Sequence, residues 1–240
     1  MGLKKSWRGL RKLFSDALFP PRCVGCRRPG KWLCSDCASQ VNWISGPICP
    51  SCGRPWPGGR TCAMCRSRSL SLEGIRALAL FEGIWRTAIH RLKYAHLTAL
   101  APPLSEYLLA YLEGDPLPMD GVVAVPLHPA RLRERGYCQS DLLARELARG
   151  LRLPYWRGAV ARLRHTPPQV GLTVAERWDN MRDAFVCRSE GVIAQRVILI
   201  DDVCTTGATL DACTQALRVG GARSVWGLVL ARSMPGSRLA

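Results

Sequence analysis

No stretch of this 240-residue chain is long and apolar enough to cross a bilayer. Its hydrophobic runs, such as Val197–Ile200 and Val225–Leu230, fall far short of the roughly 20 residues a spanning helix needs. A secretory leader is not expected either, because Lys or Arg interrupts every apolar run in residues 1–20. Stable membrane insertion is therefore not expected, and a cytoplasmic setting is. No Gly-Lys-Ser/Thr occurs either, which excludes a Walker-type nucleotide loop. Acidic residues are scarce: 18 Asp and Glu face 34 Lys and Arg, a formal net charge of +16. Otherwise the composition, 48% hydrophobic and 22% charged, is that of a folded protein with room for one ordinary domain and a small second one.

Cysteine is the opposite case. The chain has 12, and eight of them occur by residue 65. In a reducing compartment such a density argues for metal rather than disulfides. The eight form four Cys-x-x-Cys pairs: Cys23/Cys26, Cys34/Cys37, Cys49/Cys52 and Cys62/Cys65. That spacing lets two sulfurs reach one tetrahedral Zn²⁺ at roughly 2.3 Å, so four pairs predict two Cys₄ sites. With no open ligand position, both zinc ions are expected to be structural. Sequential pairing closes loops of only seven and nine intervening residues and makes a compact double zinc ribbon; the spacing also leaves a crossed arrangement open. Cys138, Cys187, Cys204 and Cys213 lie far apart and are expected to be small core residues or incidental thiols.

Charge is unevenly spread. Residues 1–72 hold 13 Lys and Arg against 2 acids, or +11; residues 73–240 hold 21 against 16, or +5. Eight thiolates on two Zn²⁺ contribute −4, which leaves +7 in the first part. Such a module could hold single-stranded DNA phosphates by counterion release, with Trp32, Trp43 and Trp56 as stacking surfaces. The competing readings are that the arginines are ordinary solvated charges and the tryptophans cover small zinc cores. Ahead of the cysteines, residues 1–21 read as a basic amphipathic helix ended by Pro20 and Pro21, with Leu3, Trp7, Leu10, Phe14 and Leu18 along one face. It is expected to pack on the cysteine module, with a membrane surface or a partner protein as alternatives.

The cysteine module spans residues 22–66, and a Ser/Arg-rich linker leads to a second domain over residues 75–240. In that domain apolar strands near Ile75–Phe81, Val122–Val125, Val197–Ile200 and Ser224–Ala231 alternate with helices near Trp85–His96, Leu104–Leu112, Gln139–Leu151 and Thr209–Val219. This alternation predicts an α/β fold with a mostly parallel, doubly wound sheet. Ligands of such sheets bind at the carboxyl ends of the strands.

At one of those ends stands Val197-Ile198-Leu199-Ile200-Asp201-Asp202-Val203-Cys204-Thr205-Thr206-Gly207-Ala208-Thr209. A buried strand delivers two carboxylates, and a loop of small residues then turns into a helix. Consecutive backbone N–H groups, the hydroxyls and the helix N-terminus converge on one point, as a phosphate requires. Gly207 lets the backbone come close. The adjacent acids suit ribose hydroxyls, with Mg²⁺ neutralising a diphosphate nearby. Pro126–Arg135 leaves the neighbouring strand and offers His128, Arg131, Arg133 and Arg135 to that diphosphate. Arg164–Phe185, polar and without a strong period, is a candidate lid.

These thirteen residues resemble the signature of type I phosphoribosyltransferases, which bind 5-phosphoribosyl 1-diphosphate (PRPP). The resemblance implies that Asp201 and Asp202 contact the ribose hydroxyls and that Thr205, Thr206, Gly207, Ala208 and Thr209 hold the 5′-phosphate. Further segments narrow it. Phe19-Pro20-Pro21-Arg22-Cys23, Leu92-Lys93-Tyr94, Val125-Pro126-Leu127-His128, Arg135-Gly136-Tyr137-Cys138-Gln139, and Arg164, Thr166, Gln169, Arg177, Asn180 and Phe185 resemble the ComF family, a double zinc ribbon followed by a phosphoribosyltransferase-like domain. Cys138 departs from the pattern, since the family usually has Asn there. The resemblance implies PRPP binding with Mg²⁺ and a part in DNA uptake during natural competence, alongside competence and DNA-uptake proteins. Two functions follow: a pentosyl transferase, or a non-catalytic PRPP- or nucleotide-sensing adaptor whose zinc module binds single-stranded DNA or a protein.

Overall fold

The computed structural model describes residues 20–164 and 173–234. The N-terminal helix expected over residues 1–21, and Thr166 and Gln169, lie essentially outside them. Two short helices belong to the cysteine module, α1 (Ser35–Ala38) and α2 (Ala63–Ser67). The second part runs β1 (Gly74–Leu80), α3 (Gly83–Tyr94), α4 (Ala101–Gly114), β2 (Gly121–Ala124), α5 (Pro129–Arg135) and α6 (Gln139–Leu151). It continues with β3 (Val160–Arg162), α7 (Val174–Met181), β4 (Phe185–Cys187), β5 (Arg196–Cys204), α8 (Ala208–Val219) and β6 (Ser224–Arg232).

Four strands form one parallel sheet in the order β1-β6-β5-β2. Alternation along the strands divides the core into two layers. Val122, Ile198, Ile200, Leu228 and Leu230 face α3, α4 and α6. Val123, Val197, Leu199, Val225 and Val229 face α8 and the small antiparallel pair β3-β4. Both faces are covered, which is why these strands read as unbroken apolar runs. Trp85 of α3 is fully buried and donates its indole N–H to the Leu230 carbonyl at 2.8 Å, fixing that helix on the sheet.

The cysteine module closes one edge of this sheet. Residues 42–44 run antiparallel beside β1, with Ile44 N–H on Leu78 O at 2.8 Å and Leu80 N–H on Asn42 O at 2.9 Å. An exposed parallel edge is thereby paired. Trp43 completes an aromatic cluster with Trp85 and Tyr107, at centroid separations of 5.0 and 5.2 Å. Trp32 packs on the same core and Trp56 on the second cysteine cluster, so each of the three tryptophans covers apolar structure.

Candidate functional site

The four cysteine pairs resolve into two clusters in sequential order, Cys23/Cys26/Cys34/Cys37 and Cys49/Cys52/Cys62/Cys65, each with its sulfurs within 4.8 Å of one another. Cys26 and Cys34 sulfurs lie 3.6 Å apart, and Cys52 and Cys62 sulfurs 3.8 Å. Four sulfurs at 2.3 Å from a tetrahedral Zn²⁺ would be separated by about 3.8 Å, so both clusters fit the ion. The two ribbons repeat each other. Cys34 N–H donates to Cys23 Sγ at 3.5 Å and Cys62 N–H to Cys49 Sγ at 3.3 Å. Burial opposes ionisation of Cys23 and Cys49, yet surrounding N–H groups bring these thiols down to about 6 and about 7. Within the same clusters burial, with the neighbouring cysteines, raises Cys37 to about 12 and also raises Cys65, and burial raises Cys52; a coordinating metal would deprotonate these thiols on binding. The second ribbon turns at Gly53, at φ +68°, where a Cβ would come within 2.3 Å of the Ile75 carbonyl oxygen. Only glycine fits this turn against β1.

The second centre of interest is a cleft of about 250 Å³ at the carboxyl ends of the strands, floored by Asp201 and Asp202. Strand β5 does not stop at these acids but continues to Cys204, so both carboxylates are held by sheet backbone rather than by a loop. Asp201 Oδ1 accepts from Ser140 Oγ at 2.8 Å and from Asp202 N–H at 2.9 Å. Asp202 is 2% exposed and forms an ion pair with Lys93 Nζ at 3.0 Å, while Val203 N–H donates to its Oδ1 at 2.7 Å. Burial first, and the neighbouring Asp202 second, push the Asp201 carboxyl up to about 7. Burial also works against the charge on Lys93, but Asp202, Tyr94 and Asp201 outweigh it and raise the ammonium above its ordinary value.

The walls carry cations. Arg131 and Arg135 come from α5, Arg162 from β3 and Arg177 from α7. Arg135 Nη1 donates to Gln139 Oε1 at 2.6 Å and stacks over the Tyr94 ring at 5.3 Å. Burial and the like charge of Arg131 lower Arg162. Opposite, Thr205, Gly207, Ala208 and Thr209 line the cleft, with Gly207 at φ +93° beginning α8.

Three expected residues sit differently. Arg133 of α5 is exposed and is not among the cleft-lining residues. His128 is the N-cap of α5, its Nδ1 accepting from Ala130 N–H at 3.2 Å, and is not among the cleft-lining residues. Thr206 is buried and turned towards the zinc module, where its Oγ1 accepts from Ala208 N–H at 3.3 Å. Cys138, at the N-cap of α6, donates its thiol to the Val125 carbonyl at 3.5 Å; burial pushes that thiol up to about 11. Lys93, Ser140 and Arg162 were not singled out as site residues from the sequence. Lys93 lies 109 residues from its partner and Ser140 lies 61 from its own, and no local pattern reports such pairs.

Residues 14–66 match the family model described as a double zinc ribbon domain. Along nearly its whole length the chain is 32% identical to the DNA utilization protein YhgH of Escherichia coli, covering 90% of this chain and 98% of that one. It is also 32% identical to competence protein F of Haemophilus influenzae, covering 88% and 97%. With competence protein ComFC of Bacillus subtilis it shares 29% identity, covering 88% and 89%. Among solved structures, it is similar to the glutamine PRPP amidotransferase of B. subtilis, with 20% identity, a TM-score of 0.36 and coverage of 60% of this chain and 26% of that one. It is also similar to an adenine phosphoribosyltransferase of Trypanosoma brucei, with 15% identity, a TM-score of 0.37 and coverage of 58% and 66%. The extent of the sequence match, carried over both the cysteine-rich module and the α/β domain, places the chain in the ComF family of competence and DNA utilization proteins.

Proposed function

We propose that the chain binds PRPP together with Mg²⁺ in the cleft above Asp201 and Asp202 and acts in the uptake or use of incoming DNA. The observation that carries the PRPP reading is the division of the cleft: two acids on its floor, Arg131, Arg135, Arg162 and Arg177 on its walls, and a glycine-started helix opposite. A ligand with ribose hydroxyls in its middle and phosphates at both ends matches that division. Asp201 and Asp202 accept from the ribose hydroxyls, the Thr205–Thr209 segment receives the 5′-phosphate, and the arginines receive the diphosphate. Lys93 and Ser140 hold the two carboxylates in place. Such a site suits Mg²⁺ that is held mainly by diphosphate oxygens and water, where it neutralises the departing charge.

Transfer would break the bond between C1 and the diphosphate through an oxocarbenium-like state. The residues present favour that step by orienting the sugar and stabilising the leaving group, with little acid–base work. The DNA role draws on the names of the relatives, competence protein F and DNA utilization protein. Diphosphate release on incubation with PRPP, Mg²⁺ and a panel of amine and nucleobase acceptors tests catalysis. Release above the background of the Asp201→Asn variant supports a transferase; binding without release supports a PRPP-sensing adaptor.

A further inference from the structure

Helix α7 carries Arg177, one of the four arginines on the wall of the cleft. The Nε of Arg177 is buried and has no hydrogen-bond partner among the described residues. A buried donor of this kind is costly unless a ligand supplies the acceptor. Its aim depends on the roll of a helix only eight residues long. Successive residues of an α-helix lie about 100° apart around the axis, so whatever holds the neighbouring face fixes where Arg177 points.

That face presents Ala175 and Trp178, three residues apart. Both line a cavity of about 260 Å³, together with Met64, Ser67 and Leu70 from the cysteine module and linker and Thr206 of the phosphate loop. The guanidinium of Arg68, in the linker, lies over the Trp178 ring at 4.6 Å from its centroid. The linker is itself held on both sides of Arg68. Ser67 before it ends α2, which carries Cys65. Ser71 after it donates its N–H at 2.5 Å to Asp211, buried in the first turn of α8.

Arg177 shares another face of α7 with Met181, four residues on. Met181 is buried, and its sulfur lies 3.8 Å from Nη2 of Arg162, a second arginine of the cleft wall. The helix therefore has two seats, the core beneath Met181 and the linker beneath Trp178. Its capping box, formed by Thr173 and Glu176, keeps the first turn helical on its own. The linker contact accordingly decides where the helix sits, not whether it forms.

We propose that the Arg68–Trp178 contact aims Arg177 at the ligand, so that the linker of the cysteine module takes part in holding the diphosphate. Arg68 and Trp178 are positioning residues, and Arg177 is the group they serve. The binding part rests on the PRPP reading above; the seating of α7 does not.

Calorimetric titration of the zinc-loaded full chain with PRPP and Mg²⁺ reads the binding part. A cation over an exposed aromatic ring is worth about a two- to fivefold change in an equilibrium. Arg68→Gln is expected to weaken binding by that factor and Trp178→Leu by at least as much. Arg68→Lys, which keeps a cation over the ring, should recover most of the loss. In an Arg177→Gln background, Arg68→Gln should cost nothing further, because the group it positions is gone. Equal losses in the two backgrounds, or no loss in the parent, would overturn the proposal. Hydrogen exchange of the unliganded proteins reads the seat separately. Amides of α7 should exchange at least about twofold faster in Arg68→Gln than in the parent, and those of α6 at the parent rate; unchanged exchange in α7 would refute the seating. If the parent binds no PRPP, the PRPP reading fails, and the exchange result alone decides whether Arg68 seats the helix. Arg68 is exposed, so its variants remain informative even where Trp178→Leu does not fold.

Discussion

Replacing Asp201 and Asp202 by Asn one at a time should move stability in opposite directions. Asp202 is buried against Lys93 at 3.0 Å, and Lys93 keeps 26% of its side-chain exposure. Removing one partner of a buried pair costs about 3–5 kcal/mol. Because Lys93 can still reach water, about 2–3 kcal/mol is expected for Asp202→Asn. Asp201 is the reverse case, with its carboxyl pushed up to about 7 from an ordinary value near ~3.9. A raised folded-state pKa means that ionisation penalises the fold, increasingly as pH climbs from the unfolded value and constantly once pH exceeds the folded one. At about 1.36 kcal/mol per pKa unit the penalty has a ceiling of about 4 kcal/mol, and the two interacting carboxylates share it. Asp201→Asn removes the charge and keeps an oxygen for Ser140 and for the Asp202 N–H. A gain of about 1–2 kcal/mol at pH 8 should follow, shrinking towards pH 5.5. In a chain of this length 1 kcal/mol corresponds to about 2–4 °C in Tm. Asp201→Asn should therefore melt about 2–8 °C higher at pH 8, and Asp202→Asn about 4–12 °C lower. Calorimetric melts of the zinc-loaded proteins at pH 5.5 and 8 decide the matter. An Asp201→Asn protein less stable than its parent at pH 8, or an Asp202→Asn protein of unchanged stability, would refute the reasoning.

Elemental analysis should find about two zinc ions per chain, and one zinc or any iron would contradict the two clusters. Cys138 begins α6 without a side-chain cap, so Cys138→Asn should add about 0.5–1 kcal/mol of stability, checked by urea midpoints; a loss would mean that the thiol bond to Val125 outweighs a cap. For single-stranded DNA, neutralising the exposed Arg27, Lys31, Arg60 and Arg66 to Gln should weaken binding. It should also reduce the log–log salt slope by roughly 0.7 for each phosphate that is no longer neutralised. Equal affinity and slope in a fluorescence titration would assign the module to scaffolding or protein docking. This surface variant is preferable to deleting residues 1–72, because that deletion would strip the partner from the edge of β1 and uncover Trp85 and Tyr107.

The parts of the molecule legible in the sequence were those with a short repeat or a clear period. Four Cys-x-x-Cys pairs gave the zinc clusters, and apolar runs buried on both faces gave the parallel strands. Gln139–Leu151 formed over its expected bounds because its buried residues recur at helical spacing. Pro129–Arg135 read as loop because it buries no side chain at all, leaving no apolar stripe to see. Strands β3 and β4 are three residues each, too short for alternation to register. Helix α7 did leave a signal, since Thr173 and Glu176 form a capping box, which Thr-x-x-Glu announces. The sequential cysteine pairing is the one with the shorter loops, but the Cys-x-x-Cys spacing is the same for a crossed arrangement and so did not select it.

The most direct test of the central claim is calorimetric titration of the zinc-loaded full chain with PRPP, with and without Mg²⁺. A saturable one-to-one heat that requires Mg²⁺, and that falls by at least tenfold in affinity in Asp201→Asn and in Arg135→Gln, is the predicted result. No binding by the folded, zinc-replete protein, or affinity unchanged in both variants, would contradict it.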